Sequence, residues 1–242
     1  MPTIYASATD GGVRSYGPTA TSWNSVHDND GGSHSFAIPT VAQTNAYGPG
    51  VKFDGSNYTI YRTFFAFDVS GISSAPGSAL FKFKSYVYAN GDIIAVKATK
   101  PDTSSNIANA DFNELVGYDA SGFDNTDLTA YSVKITGAGS VSAWHTITLN
   151  STALSDMGSA STLAICLMNY DHDYLDVAPT STSTTAQRFG MNFADNSGTS
   201  NDPYIEYTVG YSHDISGVDS GNISKVIGVS AASIASRSGV DT

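Results

Sequence analysis

The sequence predicts an all-β fold, an antiparallel β-sandwich of the jelly-roll type followed by an extended C-terminal tail. Two observations predict it. Short runs rich in β-branched and aromatic residues recur along the chain, and turn residues such as Asn90-Gly91 separate them. Helical signals are few, because only Ile107–Leu115 and Ser151–Met157, with Ser151 as the N-cap, are predicted to form a turn or two of helix.

The clearest predicted strand is Tyr58–Asp68, which carries apolar residues on both faces. Ile60 and Phe64 fall on one face, and Phe65 and Phe67 fall on the other. Because both faces need cover, we predict a central strand between two layers. Nine further strands are predicted, at Ile4–Ala8, Ser33–Ala42, Ala79–Ala89, Asp92–Thr99, Ala130–Thr136, Trp144–Leu149, Thr162–Asn169, Arg188–Phe193 and Tyr204–Val209.

The composition changes after the last predicted strand, so we predict a sandwich domain over residues 1–210 and a tail over 211–242. The tail is rich in Gly, Ser, Ile and Val, and Ile223–Val229 is repeated imperfectly as Ile234–Val240. A segment this small cannot bury its own apolar side chains, so it either stays disordered or docks elsewhere as added strands. We favour docking, through the assembly residues Ile215, Ile223, Val226, Val229, Ile234 and Val240.

The net charge of −11 at pH 7, from 22 acidic and 11 basic residues, argues against nucleic acid and anionic membranes as partners. Met1–Gly12 lacks the basic and apolar regions of a secretory signal, so we expect a protein made in the cytoplasm without such a leader. The one cysteine, Cys166, lies in an apolar run and is predicted to be a buried, inert thiol.

No catalytic motif is recognisable, so we predict that the chain is not an enzyme. It has no phosphate-binding loop, no nucleophile elbow and no His-Glu-x-x-His helix. Glycosidases need two carboxyl groups that flank the scissile bond. Glutamate is scarce, with only Glu114 and Glu206, and the aspartates lie in turn-like stretches where they are expected to form Asx turns.

Calcium is the one cofactor that the sequence suggests. Three acidic loops could supply its oxygen ligands: the first contains Asp28 and Asp30, the second contains Asp171, Asp173 and Asp176, and the third contains Asp119, Asp124 and Asp127. The alternative for each loop is an ordinary solvated turn, and the first lacks the full pattern of an EF-hand.

A ligand site is predicted in the second acidic loop, at Tyr170, His172 and Tyr174. Exposed aromatic rings beside Asp and His suit stacking on sugars together with hydrogen bonds to their hydroxyls. In the alternative, these rings simply pack and only the tyrosine hydroxyls reach solvent. Trp23 and Trp144 are predicted to be core residues.

Five segments follow one another in a fixed order: Thr21–Trp23, Ile60–Ile72, Ala79–Tyr88, Trp144–Asn150 and Gly198–Thr208. Together they resemble the disaggregatase-related, carbohydrate-binding-like jelly-roll domains of phage structural proteins and microbial surface proteins. The resemblance covers roughly residues 1–210. It implies a β-sandwich that binds or scaffolds, without required catalytic residues, and no ligand motif of the family can be placed on this chain.

The tail, from Ile215 to Val240, resembles the Ile/Val/Gly/Ser repeats of many phage virion proteins. Together the two resemblances imply a virion structural protein, a capsid decoration or head-fibre component at the virion surface. Its expected partners are the major capsid protein or other virion proteins, and further copies of itself in a homo-oligomer. The alternative is a tail-associated or secreted carbohydrate-binding module that recognises host or environmental polysaccharide.

Overall fold

The chain folds into two antiparallel sheets, as seen in a computed structural model. The structure describes residues 1–17, 22–28, 35–39, 47–88, 91–118, 126–137, 143–180, 187–194, 198–209, 225–226 and 229–230. Within this part of the chain, no helix combines the length and apolarity needed to cross a membrane.

The strands are short apart from two of eleven residues. They are β1 (Thr3–Tyr5), β2 (Gly11–Tyr16), β3 (Ser35–Pro39), β4 (Tyr47–Phe53), β5 (Tyr58–Asp68), β6 (Ser78–Tyr88), β7 (Ile93–Lys97), β8 (Trp144–Thr148), β9 (Thr162–Asn169), β10 (Gln187–Met191), β11 (Tyr204–Thr208), β12 (Lys225–Val226) and β13 (Val229–Ser230). The helical segments are α1 (Trp23–His27), α2 (Ser151–Met157), a 3₁₀ segment (Asn109–Asn113) and a π-helical turn (Tyr170–Tyr174).

The first sheet has the strand order β1-β11-β6-β8. Strand β6 is central in it: Lys82 pairs with Tyr204 of β11 on one side and with Thr146 of β8 on the other. Side chains of β6 alternate, so that Phe81 and Phe83 are buried while Lys82 lies on the outer face.

The second sheet is built around β5. One edge of β5 pairs with β2, which in turn pairs with β3, and its other edge is shared by β4 and β9. Strand β7 pairs with β9. Strand β10 pairs with both β4 and β6, and so joins the two sheets at one corner.

Two apolar cores lie on the two faces of β5. Phe65 and Phe67 point into the core between the sheets, where they contact Phe81 edge-on at 5.2 and 5.5 Å between ring centroids. Ile60 and Phe64 point the other way, into a second core covered by α1, the 3₁₀ segment and the π-helical turn. The predicted central strand, covered on both faces, is therefore confirmed.

The structure confirms the sandwich and most predicted strands, and β5 and β9 have the predicted bounds. Ala130–Thr136 is not a strand, because only Ala130 and Ile135 form isolated bridges to β7. Strands β2 and β4 were missed, since their Gly and Pro residues are typical of turns. In α2 the cap is Asn150 rather than Ser151: the Asn150 side chain accepts from the Ala153 amide at 3.1 Å.

The tail is described only at β12 and β13. These form a small antiparallel pair in which Val226 lies opposite Val229. The other assembly residues predicted in the tail lie outside the described residues: Ile215, Ile223, Ile234 and Val240. Docking of the tail on another surface stays a prediction.

Candidate functional site

The predicted ligand loop forms the π-helical turn Tyr170–Tyr174, directly after β9. Asn169 caps it, because its side-chain oxygen accepts from the His172 amide at 2.9 Å. The turn packs on the second core, to which Tyr170 and Tyr174 contribute as half-buried residues. This packing places Tyr170 and Tyr174 against the protein.

The aromatic residues of this turn contact the protein itself. The rings of Tyr170 and Tyr174 stack on each other, with centroids 5.4 Å apart and an interplanar angle of 23°. His172 Nδ1 donates to the Val177 carbonyl at 2.8 Å. The structure brings the three predicted ligand residues together, but their ring contacts favour a packing role over an open sugar platform. Sugar binding at this turn stays a prediction.

Asp171 lies on the solvent side of the turn and pairs with a lysine. Lys134 Nζ lies 2.9 Å from Asp171 Oδ1 and 2.5 Å from Asp92 Oδ2, and it lies 4.8 Å from the Tyr170 ring centroid. The hydrogen bonds to Asp92 and Asp171 raise the pKa of Lys134. One cation therefore bridges two carboxylates beside the turn.

Asp173, on the opposite side of the turn, is completely buried. Its carboxylate forms a bidentate salt bridge with Arg62 of β5: Arg62 Nη2 donates to Oδ1 at 2.8 Å, and Nε donates to Oδ2 at 3.1 Å. Arg62 is itself fully buried, donates to the Phe112 carbonyl at 2.9 Å and lies 4.0 Å from the Phe112 ring centroid. The pair therefore fastens the π-helical turn and the 3₁₀ segment to the central strand.

His27, at the end of α1, completes this buried cluster. Its Nε2 donates to the Asp173 carbonyl at 2.8 Å, with Oδ1 of the same residue 3.3 Å away, and its Nδ1 lies 2.8 Å from Asp28 Oδ1. Asp176 Oδ1 lies 3.4 Å from Nδ1 and accepts from Trp23 Nε1 at 2.6 Å. Both ring nitrogens face acceptors, which is the arrangement of a protonated imidazolium.

The electrostatics of the cluster predict how stability changes with pH. Burial alone lowers the pKa of His27, but the hydrogen bonds to Asp173 and Asp28 and the charge of Asp173 raise it to about 9. Burial raises the pKa of Asp173, but Arg62 and His27 hold it below its ordinary value. A raised histidine pKa stabilises the fold below about pH 6.5 and loses this effect as pH rises through about 9.

We therefore expect the free energy of unfolding to be greatest between about pH 5 and pH 6.5 and to fall by an amount on the order of 3 kcal/mol by pH 10. The lowered pKa of Asp173 adds a second loss, as pH falls through that pKa. Urea denaturation from pH 3 to pH 10 checks this. His27→Gln should remove the alkaline decline, and an unchanged decline in that variant would contradict the assignment to His27.

The predicted calcium ligands belong to two different arrangements. Asp28 and Asp173, from separate loops, meet at opposite nitrogens of His27, while Asp171 is held by Lys134 and Asp30 lies outside the described residues. Protein cations thus already neutralise these carboxylates. In the described part of the chain, no group of three or more His, Cys, Asp or Glu side chains is arranged to hold a metal ion. Calcium binding stays a prediction.

A second candidate surface lies on the outer face of the first sheet and was not predicted. We call it the aromatic strip and define it as Tyr5 of β1, Tyr204 of β11 and Trp144 of β8. Tyr5 and Tyr204 are paired in register, with ring centroids 5.8 Å apart, and the Trp144 ring lies 5.2 Å from that of Tyr204. Tyr5 is 45% exposed and Trp144 42% exposed. The prediction that Trp144 is a core residue was wrong; Trp23 is buried, as predicted.

Polar side chains border the aromatic strip. Lys82 lies opposite Tyr204 on β6, with its Nζ 5.6 Å from the ring centroid and 2.6 Å from Glu206 Oε2. Lys84 lies opposite Trp144, and its Nζ donates to Asn201 Oδ1 at 2.8 Å. Rings for stacking and groups for hydrogen bonding therefore occur side by side on one sheet face.

The comparisons with known proteins give no identification: no family model matches the chain, and no curated protein matches it. The resemblance to the disaggregatase-related jelly-roll domains therefore remains an interpretation of the five sequence segments.

Proposed function

We propose that the chain is a non-catalytic polysaccharide-binding β-sandwich, and that the aromatic strip is its binding surface. One observation carries the proposal: three aromatic rings from three strands lie in contact on the outer face of a sheet, and two of them are more than 40% exposed. Isolated exposed apolar residues are normal on a protein surface, but contiguous apolar groups rimmed by polar ones mark interaction sites.

The chemistry of the strip suits sugars. One side of a pyranose ring presents C–H groups that pack on an aromatic face, while its hydroxyls need donors and acceptors at the edges. The strip offers the aromatic faces, and Lys82, Glu206 and Asn201 offer the donors and acceptors. The rings lie on rigid strands, so little conformational entropy is lost when a sugar binds.

A binding role fits this surface better than hydrolysis. Among the described residues, the outward positions of the strands that carry the strip include one carboxylate, Glu206, whose Oε2 lies 2.6 Å from Lys82 Nζ. Hydrolysis of a glycosidic bond needs two carboxyl groups about 5–10 Å apart. A lone carboxylate in an ion pair can accept hydrogen bonds from hydroxyls but cannot supply both catalytic roles.

The test is affinity electrophoresis of the intact chain through gels that contain soluble neutral or acidic polysaccharides. We expect retardation by at least one polymer and no release of reducing sugar from it. Failure of every polymer to retard the protein would refute the proposal. Release of reducing ends would replace it with an enzyme.

We further propose that the module is displayed on a surface assembly, as a decoration or head-fibre component of a virion that binds the major capsid protein or sister copies. Three features support this setting: the acidic sandwich, the repeat in the tail, and the small strand pair that places Val226 opposite Val229. Strand pairing within a repeat is the kind of structure that strand addition between chains can extend.

Truncation after residue 210 is expected to leave a folded monomer, whereas the full chain is expected to form oligomers through its tail. Size-exclusion chromatography with light scattering measures both masses, and circular dichroism confirms that the truncated sandwich is folded. Equal monomeric masses for the two chains would remove the tail from assembly and leave a stand-alone binding module.

A further inference from the structure

We infer that the aromatic strip selects soluble polysaccharides that carry carboxylates, that is, chains containing uronate sugars, and that Lys84 is the residue that recognises the charge. The inference rests on the proposed polysaccharide binding and adds the class of ligand to it. Three features carry it: the contacts of the lysines that border the strip, the excess of positive charge around the strip, and the tilt of its rings.

Lys84 differs from most lysines of the described chain in what it contacts. Four others form ion pairs with carboxylates: Lys82, Lys97, Lys100 and Lys134. The Lys84 ammonium donates instead to the neutral amide oxygen of Asn201 at 2.8 Å. Among the described residues, no carboxylate lies within 4.0 Å of it. Within the part of the chain that the structure describes, its positive charge is therefore not neutralised by a carboxylate.

The position of this charge matches the strip. Lys84 pairs in register with Trp144, so its ammonium lies on the same sheet face as the exposed ring. A sugar stacked on Trp144 would have its substituents beside Lys84. A carboxylate there would replace a neutral partner with a charged one, and charge-assisted hydrogen bonds are roughly twice as strong as neutral ones.

The charge balance of the face supports the same ligand class. The chain carries a net charge of −11, yet the outward positions around the strip hold two lysines, Lys82 and Lys84, against one glutamate, Glu206. An acidic protein repels a polyanion at long range, so attraction requires a local cation at the contact. We therefore expect the affinity to depend on short-range contacts at the strip rather than on long-range electrostatic attraction of the polymer.

The geometry of the rings favours a single chain over a flat surface. The Tyr5 and Tyr204 planes differ by 53°, and those of Trp144 and Tyr204 differ by 64°. Rings tilted in this way cannot all lie flat on one planar face of a crystalline polymer. They can contact successive sugars of a soluble chain that twists along its length.

The experiment compares polymers that differ only in charge. Polygalacturonate, alginate and hyaluronan are each tested beside their carboxyl-reduced forms, by affinity electrophoresis and titration calorimetry with the intact chain. We expect at least one acidic polymer to bind about tenfold more tightly than its reduced form, the effect of one charge-assisted contact. Lys84→Met should abolish this preference, and Lys84→Arg should retain it.

Lys52→Met is the matched control, because it removes one positive charge from the second sheet, on β4. It should leave the preference unchanged, and thermal melts should show that all three variants are folded. Equal binding of acidic and reduced polymers, or a preference that survives Lys84→Met, overturns the inference while the proposed function stands. Binding confined to neutral polymers does the same. Failure of every polymer to bind overturns both.

Discussion

Asp173→Asn is expected to lower the free energy of unfolding by about 3–5 kcal/mol, since it leaves the buried Arg62 without its counter-ion and removes one of the carboxylates beside His27. Arg62 and His27 both depend on this carboxylate, and neither can reach water because both side chains are fully buried. The substituted amide would also turn an N–H donor toward the donors of Arg62. Urea denaturation at pH 6, where His27 is protonated, measures the loss.

The matched control is Asp171→Asn, the same substitution two residues earlier in the same turn. Asp171 pairs with Lys134 at the surface, where its side chain is 42% exposed, so its loss is expected to cost less than about 1 kcal/mol. Equal losses for the two variants would show that the buried cluster does not hold the turn. Replacing both partners, with Arg62→Met and Asp173→Leu, should cost less than either single change.

The buried cluster contains two of the residues that were predicted as calcium ligands, and sequence alone could not show their contacts with protein cations. Sequence alone shows Asp28 and Asp173 as members of two separate acidic loops, each with the composition of a calcium loop. The fold brings both to His27, and Arg62 of the central strand meets Asp173 from a position 111 residues away. The one sequence signal was Arg62 itself, a charged residue inside an otherwise buried strand, which requires a buried counter-ion.

The sequence pattern predicted those strands whose side chains are apolar wherever they are buried. Strand β5 was found in full because apolar residues occupy both of its faces, and β9 because it is a continuous apolar run. Strand β2 opens with Gly11-Gly12 and β4 contains Gly48-Pro-Gly50, so their side chains carry little signal. Strands β2 and β4 form because the two edges of β5 offer them hydrogen-bonding partners. Their strand structure therefore depends on tertiary contacts rather than on local sequence.

The aromatic strip was missed for a related reason. Each of its three rings lies within a predicted strand. The sequence does not show which face of such a strand points to solvent, because that depends on where the partner sheet packs. Trp144 was assigned to the core because it lies within a predicted strand. Side chains alternate between the two faces of a strand, and Ile147, three residues after Trp144, points into the core. Trp144 therefore points to solvent.

Trp144→Ala is expected to weaken polysaccharide binding at least tenfold while leaving the fold intact. The ring lies on the outer sheet face beside Lys84 and contacts Tyr204, so its removal deletes both a stacking surface and the support of a second ring. A tenfold loss corresponds to about 1.4 kcal/mol of binding free energy. Because the side chain is 42% exposed, unfolding should become easier by no more than about 1 kcal/mol.

The informative comparison is with Tyr170→Ala, which removes a ring from the π-helical turn instead. The two surfaces compete as the binding site, and each has a lysine close to an aromatic ring, Lys134 at Tyr170 and Lys82 at Tyr204. Calorimetric titration of both variants with the polymer bound best by the intact chain separates them. If Tyr170→Ala loses binding and Trp144→Ala does not, the glycan site lies at the turn, and the aromatic strip serves another contact. The opposite result places sugar binding on the rigid outer face, where the strands hold the rings in position before the ligand arrives.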